Sequence, residues 1–358
     1  MVKPLNVIQI IDSLAVGGAE MMAVNIANGL LKHKVNSHIC VTRTEGLLKE
    51  KISKDAGYLF LNKQSKVDFK SVQVLKKYIK NHHINIVHAH SSSFFMAVLV
   101  KMICPKIKII WHDHYGKAEQ INKRKSIALK IGSLFFSQII SVNQILVNWA
   151  KEKLFCTKVK FIANFATINK TIHKTHLNGE EGKRIVCVAA FRPQKDHFSL
   201  LQAFTIIKNK YPEWTLHLIG ERHNDIYSKQ IDAVIKNEGL EKDVFCYGAC
   251  LDVKYILNQS TIGVLSSNSE GLPVSLLEYG LAGLPVVVTD VGDCKKVMGT
   301  NGMVVKKENA KVLANAIEKY ITDENLRVLK ASQFQKHIFE NYSEKIYFSE
   351  LIKIYQAC

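Results

Sequence analysis

The sequence lacks long apolar runs, and none of its apolar stretches approaches the roughly 18 residues that a membrane-spanning helix requires. The amino-terminal stretch MVKPLNVIQIIDSLAVGGAE has only a short apolar run, broken by Asp12, which is not the pattern of a signal peptide. The 8 cysteines include no CxxC pair, so neither a zinc motif nor a disulfide framework is indicated. We therefore expect a cytoplasmic protein with reduced thiols.

Acidic residues are scarce in the first half of the chain. Residues 1–165 contain 25 lysines and arginines against 9 aspartates and glutamates, whereas residues 166–358 contain 24 against 22. Nearly all of the net charge of +18 therefore belongs to the first half. Such an excess indicates an anionic partner there: a nucleic acid, a phosphorylated substrate or an acidic membrane surface. A basic surface that only keeps the protein in solution is the alternative.

Short apolar runs rich in β-branched residues alternate with segments of helical periodicity along the chain. Strands are predicted at 7–11, 37–42, 58–61, 84–88, 108–111, 138–141, 159–162, 184–189, 215–219, 244–247, 262–265 and 286–289, and the last fifty residues are predicted to be all-helical. Continuous apolar strands separated by helices indicate parallel sheets covered on both faces. We predict two doubly wound α/β domains, residues 1–167 and 168–341, separated by a polar linker at the start of the second.

One stretch, SEGLPVSLLEYGLAGLPVVVTDVG at Ser269–Gly292, places two glutamates eight positions apart. It follows a predicted strand, so Glu270 and Gly271 should lie in the loop beyond the strand's carboxyl end, where ligands bind in open α/β sheets. Pro273 suits the first turn of the next helix, whose amino terminus is a natural seat for phosphate. Glu278 lies further along that helix, and carboxylates in such positions accept hydrogen bonds from vicinal sugar hydroxyls. The stretch therefore suits a nucleotide sugar.

This stretch resembles the E-x7-E signature of the retaining glycosyltransferases of family four, which have the GT-B fold, and weaker agreement extends along nearly the whole chain. The resemblance implies two Rossmann-like domains that face a central cleft, the first binding the acceptor and the second the nucleotide sugar. Residues 342–358 should form a helix that crosses back to the first domain. Glu270 would contact the transferred sugar and Glu278 the ribose. The backbone of Gly271, Leu272, Pro273 and Val274 would meet the donor.

A second motif, VAAFRPQKDH at Val188–His197, places two cations in a loop before a helix, where they could neutralise a leaving diphosphate. By the resemblance, Lys195 takes that role. The family usually has a Gly-Arg pair about five residues before this lysine, but Ala189 and Ala190 stand there in this sequence. Arg192 is therefore expected only as a shifted substitute for the family's arginine.

Two further groups of residues follow strands of the first domain. Gly17 and Gly18 match the family's glycine-rich loop near the donor phosphates and the acceptor, although a plain tight turn explains such a pair equally well. Four histidines are carried by HAHSSS and IIWHDHYG. The family has a histidine that holds the transferred sugar near its 6-hydroxyl, and we expect His112 in this role, then His114. His90 is also expected among the substrate-binding residues, His88 precedes it at the same strand end, and no metal is expected.

The stretch GKAEQINKRKSIALKIGSLFF, residues 116–136, combines lysines and an arginine with large apolar side chains. A basic amphipathic segment of this kind can lie on an anionic lipid surface. A normal helix whose apolar side faces the core explains the same pattern, and both interpretations stay open.

The resemblance implies a retaining hexosyltransferase that uses a UDP- or GDP-linked sugar and no cofactor. The acceptor would be lipid-linked or a saccharide, as in lipopolysaccharide, capsule or other polysaccharide assembly at the inner face of the membrane. Front-face attack is expected, with the leaving phosphate accepting the acceptor's proton. The alternatives are a GT-B epimerase or hydrolase that acts on the nucleotide sugar and a basic non-enzymatic binding protein. Nucleic acid is not the expected partner, because basic and aromatic residues do not interleave as in RNA platforms.

Overall fold

The computed structural model describes residues 4–167 and 174–358, and these residues form two compact units. One unit comprises the described residues up to Phe165 together with Glu344–Cys358, and the other extends from Ala166 to Ser343. The first residues of the predicted linker, 168–173, lie outside the described residues.

The first unit is built on a sheet of seven strands. They are β1 (Asn6–Ser13), β2 (Asn36–Thr44), β3 (Gly57–Phe60), β4 (Ile86–His90), β5 (Lys108–Asp113), β6 (Phe136–Ser141) and β7 (Val159–Phe161). Their order is β3-β2-β1-β4-β5-β6-β7, and every neighbouring pair is parallel. The switch of direction between β1 and β4 brings the loops that follow these two strands to the same edge, where ligands of open α/β sheets bind.

Helices connect most of these parallel strands, and a 3-10 segment, Leu47–Lys51, lies between β2 and β3. The helices are α1 (Gly18–Lys32), α2 (Phe69–Asn81), α3 (Phe94–Ile103), α4 (Ile127–Gly132) and α5 (Gln144–Lys153). The core consists of aliphatic side chains from both layers, with Trp111 and Trp149 among its largest members. Such continuous burial explains why the strands are predicted from uninterrupted apolar runs.

The second unit has a six-stranded sheet. Its strands are β8 (Arg184–Val188), β9 (Thr215–Ile219), β10 (Val244–Gly248), β11 (Ile262–Leu265), β12 (Val286–Thr289) and β13 (Met303–Val305). The order is β10-β9-β8-β11-β12-β13, again parallel throughout. The switch point lies between β8 and β11, which are the strands that precede the two predicted donor motifs.

The remaining helices are α6 (His197–Lys210), α7 (Ile226–Asn237), α8 (Val253–Asn258), α9 (Val274–Ala282), α10 (Cys294–Met298), α11 (Ala310–Thr322), α12 (Glu324–Asn341) and α13 (Glu344–Gln356). Short polar side chains fix where several of the helices start, because a carboxylate or amide oxygen accepts a hydrogen bond from a free backbone N–H of the first turn. These N-caps are Asp68, Asn143, Asp196, Asp225, Asn309 and Asp323.

The last helix, α13, belongs to the first unit. The ring of Phe348 lies so close to Gly29 of α1 that a β-carbon there would meet it at 2.2 Å. The ring of Tyr347 packs against Phe165 at a centroid distance of 4.4 Å. A salt bridge of 2.7 Å joins Lys32 to Glu344. The carboxy-terminal segment is therefore an integral layer of this unit.

The basic stretch 116–136 does not form one helix. A 3-10 segment (Ala118–Lys123), the short helix α4 and a second 3-10 turn (Ser133–Phe135) follow one another before β6. Leu129 is buried, but Ile127, Ile131 and Leu134 are 81%, 57% and 63% exposed. The interpretation as one helix with an apolar face in the core is therefore wrong for Ile127, Ile131 and Leu134, whereas Leu129 and Phe135 do belong to the core layer. Among the described residues, no helix has the length and apolar character to cross a membrane.

Candidate active site

The first site motif lies in the loop between β11 and α9. Glu270 lies in this loop and is almost completely buried, with 4% of its surface exposed. Its Oε1 accepts a hydrogen bond of 2.6 Å from Lys195 Nζ and one of 2.7 Å from Ser267 Oγ. The structure thus brings Lys195 and Glu270, which are separated by 75 positions in the sequence, into a nearly buried ion pair.

Three hydrogen bonds tie the two loops together. Asn268 donates its backbone N–H to the carbonyl of Gln194 at 2.8 Å. The hydroxyl of Ser266 donates to the carbonyl oxygens of Lys195 and Asp196 at 3.1 and 3.0 Å. Because the ion pair sits between loops that are also joined through their backbones, its geometry is set before any ligand arrives, which lowers the ordering cost of binding.

Helix α9 begins directly after this loop. Pro273 is its N-cap in an extended conformation, one position before the first helical turn in which we predicted it. The first N–H groups of a helix have no partner within the helix and carry a partial positive charge, so this terminus can receive an anionic group. Glu278 is on the same helix and is half-buried. The polypeptide thus passes from the buried carboxylate of Glu270 to the amino terminus of α9 and then to a second carboxylate, that of Glu278.

Gly292, the last residue of the motif, presses against the loop that holds Glu270. A β-carbon at this position would lie 2.3 Å from the carbonyl oxygen of Glu270 and 2.7 Å from that of Gly271. Its φ of +52° is also one that glycine adopts most easily. The backbone of Gly271 is held on the same side, since its carbonyl accepts a hydrogen bond of 3.0 Å from the N–H of Asp293.

Arg192 has a different acidic neighbour from Lys195. Its side chain is 51% exposed, and its guanidinium lies 4.0 Å from Glu221 Oε2. Lys195, by contrast, has only 17% of its side chain exposed. The structure therefore does not bring Arg192 together with Glu270, and the prediction that it replaces the family's arginine stays a prediction.

Four histidines form a row on one face of the first unit's sheet. His88 and His90 alternate along β4 and therefore face the same side, and His90 pairs in register with His112 of β5. His114 follows β5, with its ring centroid 5.2 Å from that of His90. We call His88, His90, His112 and His114 the histidine row.

The members of the histidine row differ in exposure. His88, His90 and His112 are completely buried, and neither ring nitrogen of His112 has a hydrogen-bond partner among the described residues. His114, at the end of the strand, is only half-buried. Burial lowers the pKa of His88 and of His114 to about 3 and holds the pKa values of His90 and His112 well below 6.5, so all four rings are neutral at pH 7.

The glycine pair after β1 marks the start of α1. Gly17 is the N-cap in an extended conformation, and its carbonyl accepts the N–H of Met21 at 2.8 Å. Gly18 is the first residue of the helix. Gly17 is half-buried and Gly18 is exposed, so this terminus is accessible, as expected of a ligand site at the carboxyl edge of a sheet.

Three members of the histidine row bring potential metal-ligand atoms within 4.8 Å of one another: His88, His90 and His112. The planes of His88 and His90 differ by only 16°, and those of His88 and His112 by 18°. An imidazole lone pair lies in the plane of its ring, so nearly parallel stacked rings do not direct their lone pairs to one point. His90 also uses both ring nitrogens in hydrogen bonds. The row as arranged does not fit an ion.

Comparison with known proteins identifies the family. The profile of "Glycosyl transferases group 1" matches residues 168–336, and the profile of "Glycosyltransferase Family 4" matches residues 16–168. The chain belongs to the group 1 glycosyltransferases. This glycosyltransferase is similar to the Escherichia coli UDP-Gal:alpha-D-GlcNAc-diphosphoundecaprenol alpha-1,3-galactosyltransferase. The two are 25% identical over 286 residues, which cover 73% of each chain. Another is the capsular polysaccharide biosynthesis glycosyltransferase CapH of Staphylococcus aureus, 28% identical over 76% of this chain and 78% of CapH.

The fold of this glycosyltransferase is that of solved GT-B enzymes. HepE of Anabaena, solved in complex with UDP and glucose, superposes with a TM-score of 0.82 over 98% of both chains at 18% identity. The predicted fold class, two parallel-sheet α/β domains of the GT-B type, is confirmed.

Several residues of this glycosyltransferase that surround its site residues were not predicted from the sequence. Ser267 contacts Glu270, and its position three residues earlier in a serine-rich loop is the one signal that could have suggested it. Gln9 and Tyr355 contact the histidine row through hydrogen bonds of 2.9 and 2.7 Å. Tyr355 is 267 positions from His88, and no local pattern indicates such a contact.

Proposed function

We propose that this glycosyltransferase is a retaining hexosyltransferase that takes a sugar from a UDP- or GDP-linked donor. The donor site would be in the second unit, with Glu270 against the transferred sugar, Glu278 against the ribose and the amino terminus of α9 beneath the diphosphate. The observation that carries this assignment is the nearly buried pair of Lys195 and Glu270 directly before that helix terminus. The complex of the similar fold HepE with UDP and glucose supports the choice of a nucleotide-sugar donor.

The chemistry of the proposal requires Lys195 to meet negative charge as the leaving group departs. Its ammonium group bonds to Glu270 at 2.6 Å, and a donor phosphate would offer it a second anionic partner. A cation aimed at developing negative charge stabilises a transition state strongly when water is excluded. The leaving phosphate would then accept the acceptor's proton, with no cofactor needed.

The carboxylate of Glu270 is a poor candidate for a covalent nucleophile. The oxygen Oε1 is engaged by both Lys195 and Ser267, at 2.6 and 2.7 Å. Front-face attack through an oxocarbenium-like state, in which no enzyme carboxylate bonds to the sugar, is consistent with this. Product NMR tests retention itself, because retention gives the same anomeric configuration in donor and product and inversion gives the opposite one.

We propose His114, rather than His112, as the residue of the histidine row that meets the transferred sugar. His114 is half-buried at the carboxyl edge of the sheet, whereas His112 is completely buried. The sequence favours His112 first, and that order rests on the family's pattern alone. His114→Ala should weaken binding of the intact nucleotide sugar and leave binding of the free nucleotide unchanged.

The acceptor we propose is lipid-linked or a saccharide, for cell-envelope or polysaccharide assembly at the cytoplasmic face of the membrane. The similar E. coli enzyme acts, by its name, on a diphosphoundecaprenol-linked sugar, and CapH belongs to capsular polysaccharide biosynthesis. The excess of 25 basic over 9 acidic residues in the first 165 suits such an anionic acceptor.

The same unit carries a surface suited to anionic lipid. Ile127, Ile131 and Leu134 are mostly exposed, and the ammonium group of Lys130 lies 5.0 Å from the ring of the exposed Phe155. Lysines 123 and 125 are exposed beside them. Exposed apolar side chains rimmed by lysines are typical of segments that lie in a membrane interface.

A thermal-shift panel of UDP, GDP, ADP and their sugars tests the donor site, because a ligand that binds the folded state raises the melting temperature. We expect a shift with one nucleotide family in wild type and a much smaller one in Glu278→Ala. Glu241→Ala, at an exposed glutamate of the same unit, is the control. No shift at millimolar concentration would overturn the proposal, and sugar release or epimerisation without acceptor would favour the hydrolase or epimerase alternative.

Liposome flotation tests the membrane surface separately. Wild type should bind vesicles with anionic lipid at low salt and dissociate as salt screens the charges. The double variant Ile127→Ser/Ile131→Ser should bind much less. Val328→Ser/Leu329→Ser is the matched control, because these α12 side chains are 61% and 52% exposed but belong to the other unit. Equal binding by both double variants would contradict the assignment.

A further inference from the structure

A chain of hydrogen bonds connects the exposed end of the histidine row to the carboxy-terminal helix. His114 Nε2 lies 3.0 Å from His90 Nδ1, and His90 Nε2 lies 2.9 Å from Gln9 Oε1. The Gln9 amide donates to the hydroxyl of Tyr355 at 3.5 Å, and that hydroxyl lies 2.7 Å from His88 Nδ1. All of these groups belong to the first unit.

The direction of the chain follows from what each atom can do. Gln9 Oε1 can only accept, so His90 Nε2 must carry the proton that it donates. His90 is neutral, because burial holds its pKa well below 6.5, and its Nδ1 is therefore a bare acceptor. His114 Nε2 must then donate to it. His114 is neutral for the same reason, which leaves its Nδ1 as a bare acceptor.

The other end of the chain sets the orientation of Gln9. Its amide group donates to Tyr355, and the tyrosine hydroxyl can in turn donate a hydrogen bond to His88 Nδ1. In this arrangement the amide oxygen of Gln9 has to face His90. Without the tyrosine hydroxyl, the amide could rotate by half a turn and offer N–H to His90, which would reverse every donor along the chain.

We propose that Gln9, His90 and Tyr355 are positioning residues that keep the proton of His114 on Nε2, so that Nδ1 is presented as an acceptor to a sugar hydroxyl. The part that concerns the sugar rests on the proposed function, in which His114 meets the transferred sugar. The hydrogen-bond chain itself does not depend on it. The carboxy-terminal helix thereby contributes to the chemistry of a site residue that it does not touch.

Nuclear magnetic resonance of protein labelled with ¹⁵N-histidine tests the chain directly, because the two neutral tautomers of imidazole give different pairs of nitrogen shifts. The signals of His114 are assigned by their loss in His114→Gln. In wild type at pH 7.5 we expect His114 with its proton on Nε2. In Tyr355→Phe and in Gln9→Met, which preserve side-chain size, we expect a mixture of both tautomers.

The matched control is Tyr347→Phe. Tyr347 is a buried tyrosine of the same helix, and its hydroxyl has no hydrogen-bond partner among the described residues. It should leave the His114 signals as in wild type. A wild-type His114 that carries its proton on Nδ1, or a tautomer that does not change in Tyr355→Phe, would overturn the proposal.

Transfer kinetics test the consequence for the site. Tyr355→Phe and Gln9→Met should lower kcat/KM by about five-fold, the factor that corresponds to the net contribution of one hydrogen bond, and Tyr347→Phe should not. If Tyr347→Phe lowers kcat/KM as much as Tyr355→Phe, the effect is structural and the positioning role is wrong. A wild type that transfers no sugar from any donor would contradict the proposed function. The tautomer of His114 would still show whether the proposed hydrogen-bond chain is correct.

Discussion

Lys195 and Glu270 form an ion pair with little access to water, and removing one partner should be costly. Lys195→Met removes the ammonium group that bonds to Glu270 at 2.6 Å and leaves a carboxylate that is 4% exposed. Breaking a buried pair in this way typically costs about 3 kcal/mol of unfolding free energy. We expect a loss of about this size in the second unit, measured by urea unfolding with Trp214 fluorescence in a Trp111→Phe/Trp149→Phe background.

A double-mutant cycle separates the pair from other effects of the substitution. Lys195→Met/Glu270→Gln no longer buries an unpaired charge, so it should be more stable than the sum of the two single losses predicts. Both single variants and the double variant should lose transfer activity. Losses that simply add would show that the two residues do not stabilise each other.

Gly292 tests whether the close contact behind Glu270 is essential. Gly292→Ala places a β-carbon 2.3 Å from the carbonyl oxygen of Glu270, in addition to the strain of a positive φ. Gly239→Ala is the control, because its φ is +64° but nothing lies within 4 Å of the added carbon. The control should cost about 1 kcal/mol from backbone strain alone. Gly292→Ala should lower the unfolding free energy by more, about 3 kcal/mol, and weaken donor binding. Equal losses of unfolding free energy in the two variants would show that the loop accommodates the added β-carbon at no further cost.

At the scale of single residues, the sequence indicates the ion pair's members through motifs but does not indicate their contacts. Glu270 and Lys195 are predictable because each follows a strand in a recognisable stretch. Gln9 and Tyr355 are not, because one lies in the middle of a buried strand and the other on the last helix, where polar residues usually have no special role. Their function depends on contacts across 346 positions, which no local pattern encodes.

At the scale of elements, periodicity predicts most strands and helices well, and the failures have physical reasons. Strand β13 is not predicted, since Met303–Val305 is too short to show a period. The prediction ends β4 at His88, but the strand extends to His90 because both histidines are buried as neutral rings on the sheet's face. Residues 116–136 have helix-forming composition, yet they form a 3-10 segment, the short helix α4 and a 3-10 turn instead of one helix.

The loop after β5 is held by one arginine, which gives a prediction at the scale of this element. Arg124 donates to both carboxylate oxygens of the buried Asp113 at 2.6 and 2.9 Å, and its guanidinium lies 4.4 Å from the ring of Tyr115 and 4.3 Å from that of Trp149. A lysine ammonium group cannot form the two-point contact with a carboxylate and stack on aromatic rings at the same time, as a planar guanidinium does. Arg124→Lys should therefore lower the unfolding free energy of the first unit by about 2 kcal/mol.

Urea unfolding in a Trp214→Phe background measures this loss, because the two remaining tryptophans, Trp111 and Trp149, both belong to the first unit. Lys123→Ala, at an exposed neighbour, should change the free energy by less than about 0.5 kcal/mol. His114 directly follows Asp113, so Arg124→Lys should also broaden the His114 resonances. A variant as stable as wild type would show that aromatic packing alone holds the loop.

At the scale of the whole molecule, the two units differ in how they carry charge. The first holds an excess of basic residues on its surface and a row of neutral histidines in its interior, while the second is nearly balanced and buries an ion pair. Burial of neutral imidazoles makes a protein sensitive to acid. The second unit also buries two histidines, His197 and His217, and burial lowers the pKa of each to about 4, but the first unit holds the whole histidine row. The two units should therefore respond differently when the pH falls.

The sign follows from proton binding. The pKa of His88 and that of His114 are lowered to about 3 from 6.5, and those of His90 and His112 are also well below it. Below pH 6.5 the unfolded chain takes up protons at these residues while the folded unit does not. Stability of the first unit should therefore fall as the pH falls from about 6.5 towards 3, by up to about 1.4 kcal/mol per pH unit for each histidine.

His112→Leu tests the contribution of one histidine to this pH dependence of the unfolding free energy. Neither ring nitrogen of His112 has a hydrogen-bond partner among the described residues, so an apolar side chain of similar size loses no hydrogen bond there. At pH 7.5 the variant should be at least as stable as wild type, and between pH 6 and 4 its unfolding free energy should fall less steeply, by about one proton's contribution. His83→Asn, at an exposed histidine, should keep the wild-type slope. If His112→Leu also keeps that slope, His112 is protonated in the folded protein, and the histidine row is not the source of the acid sensitivity.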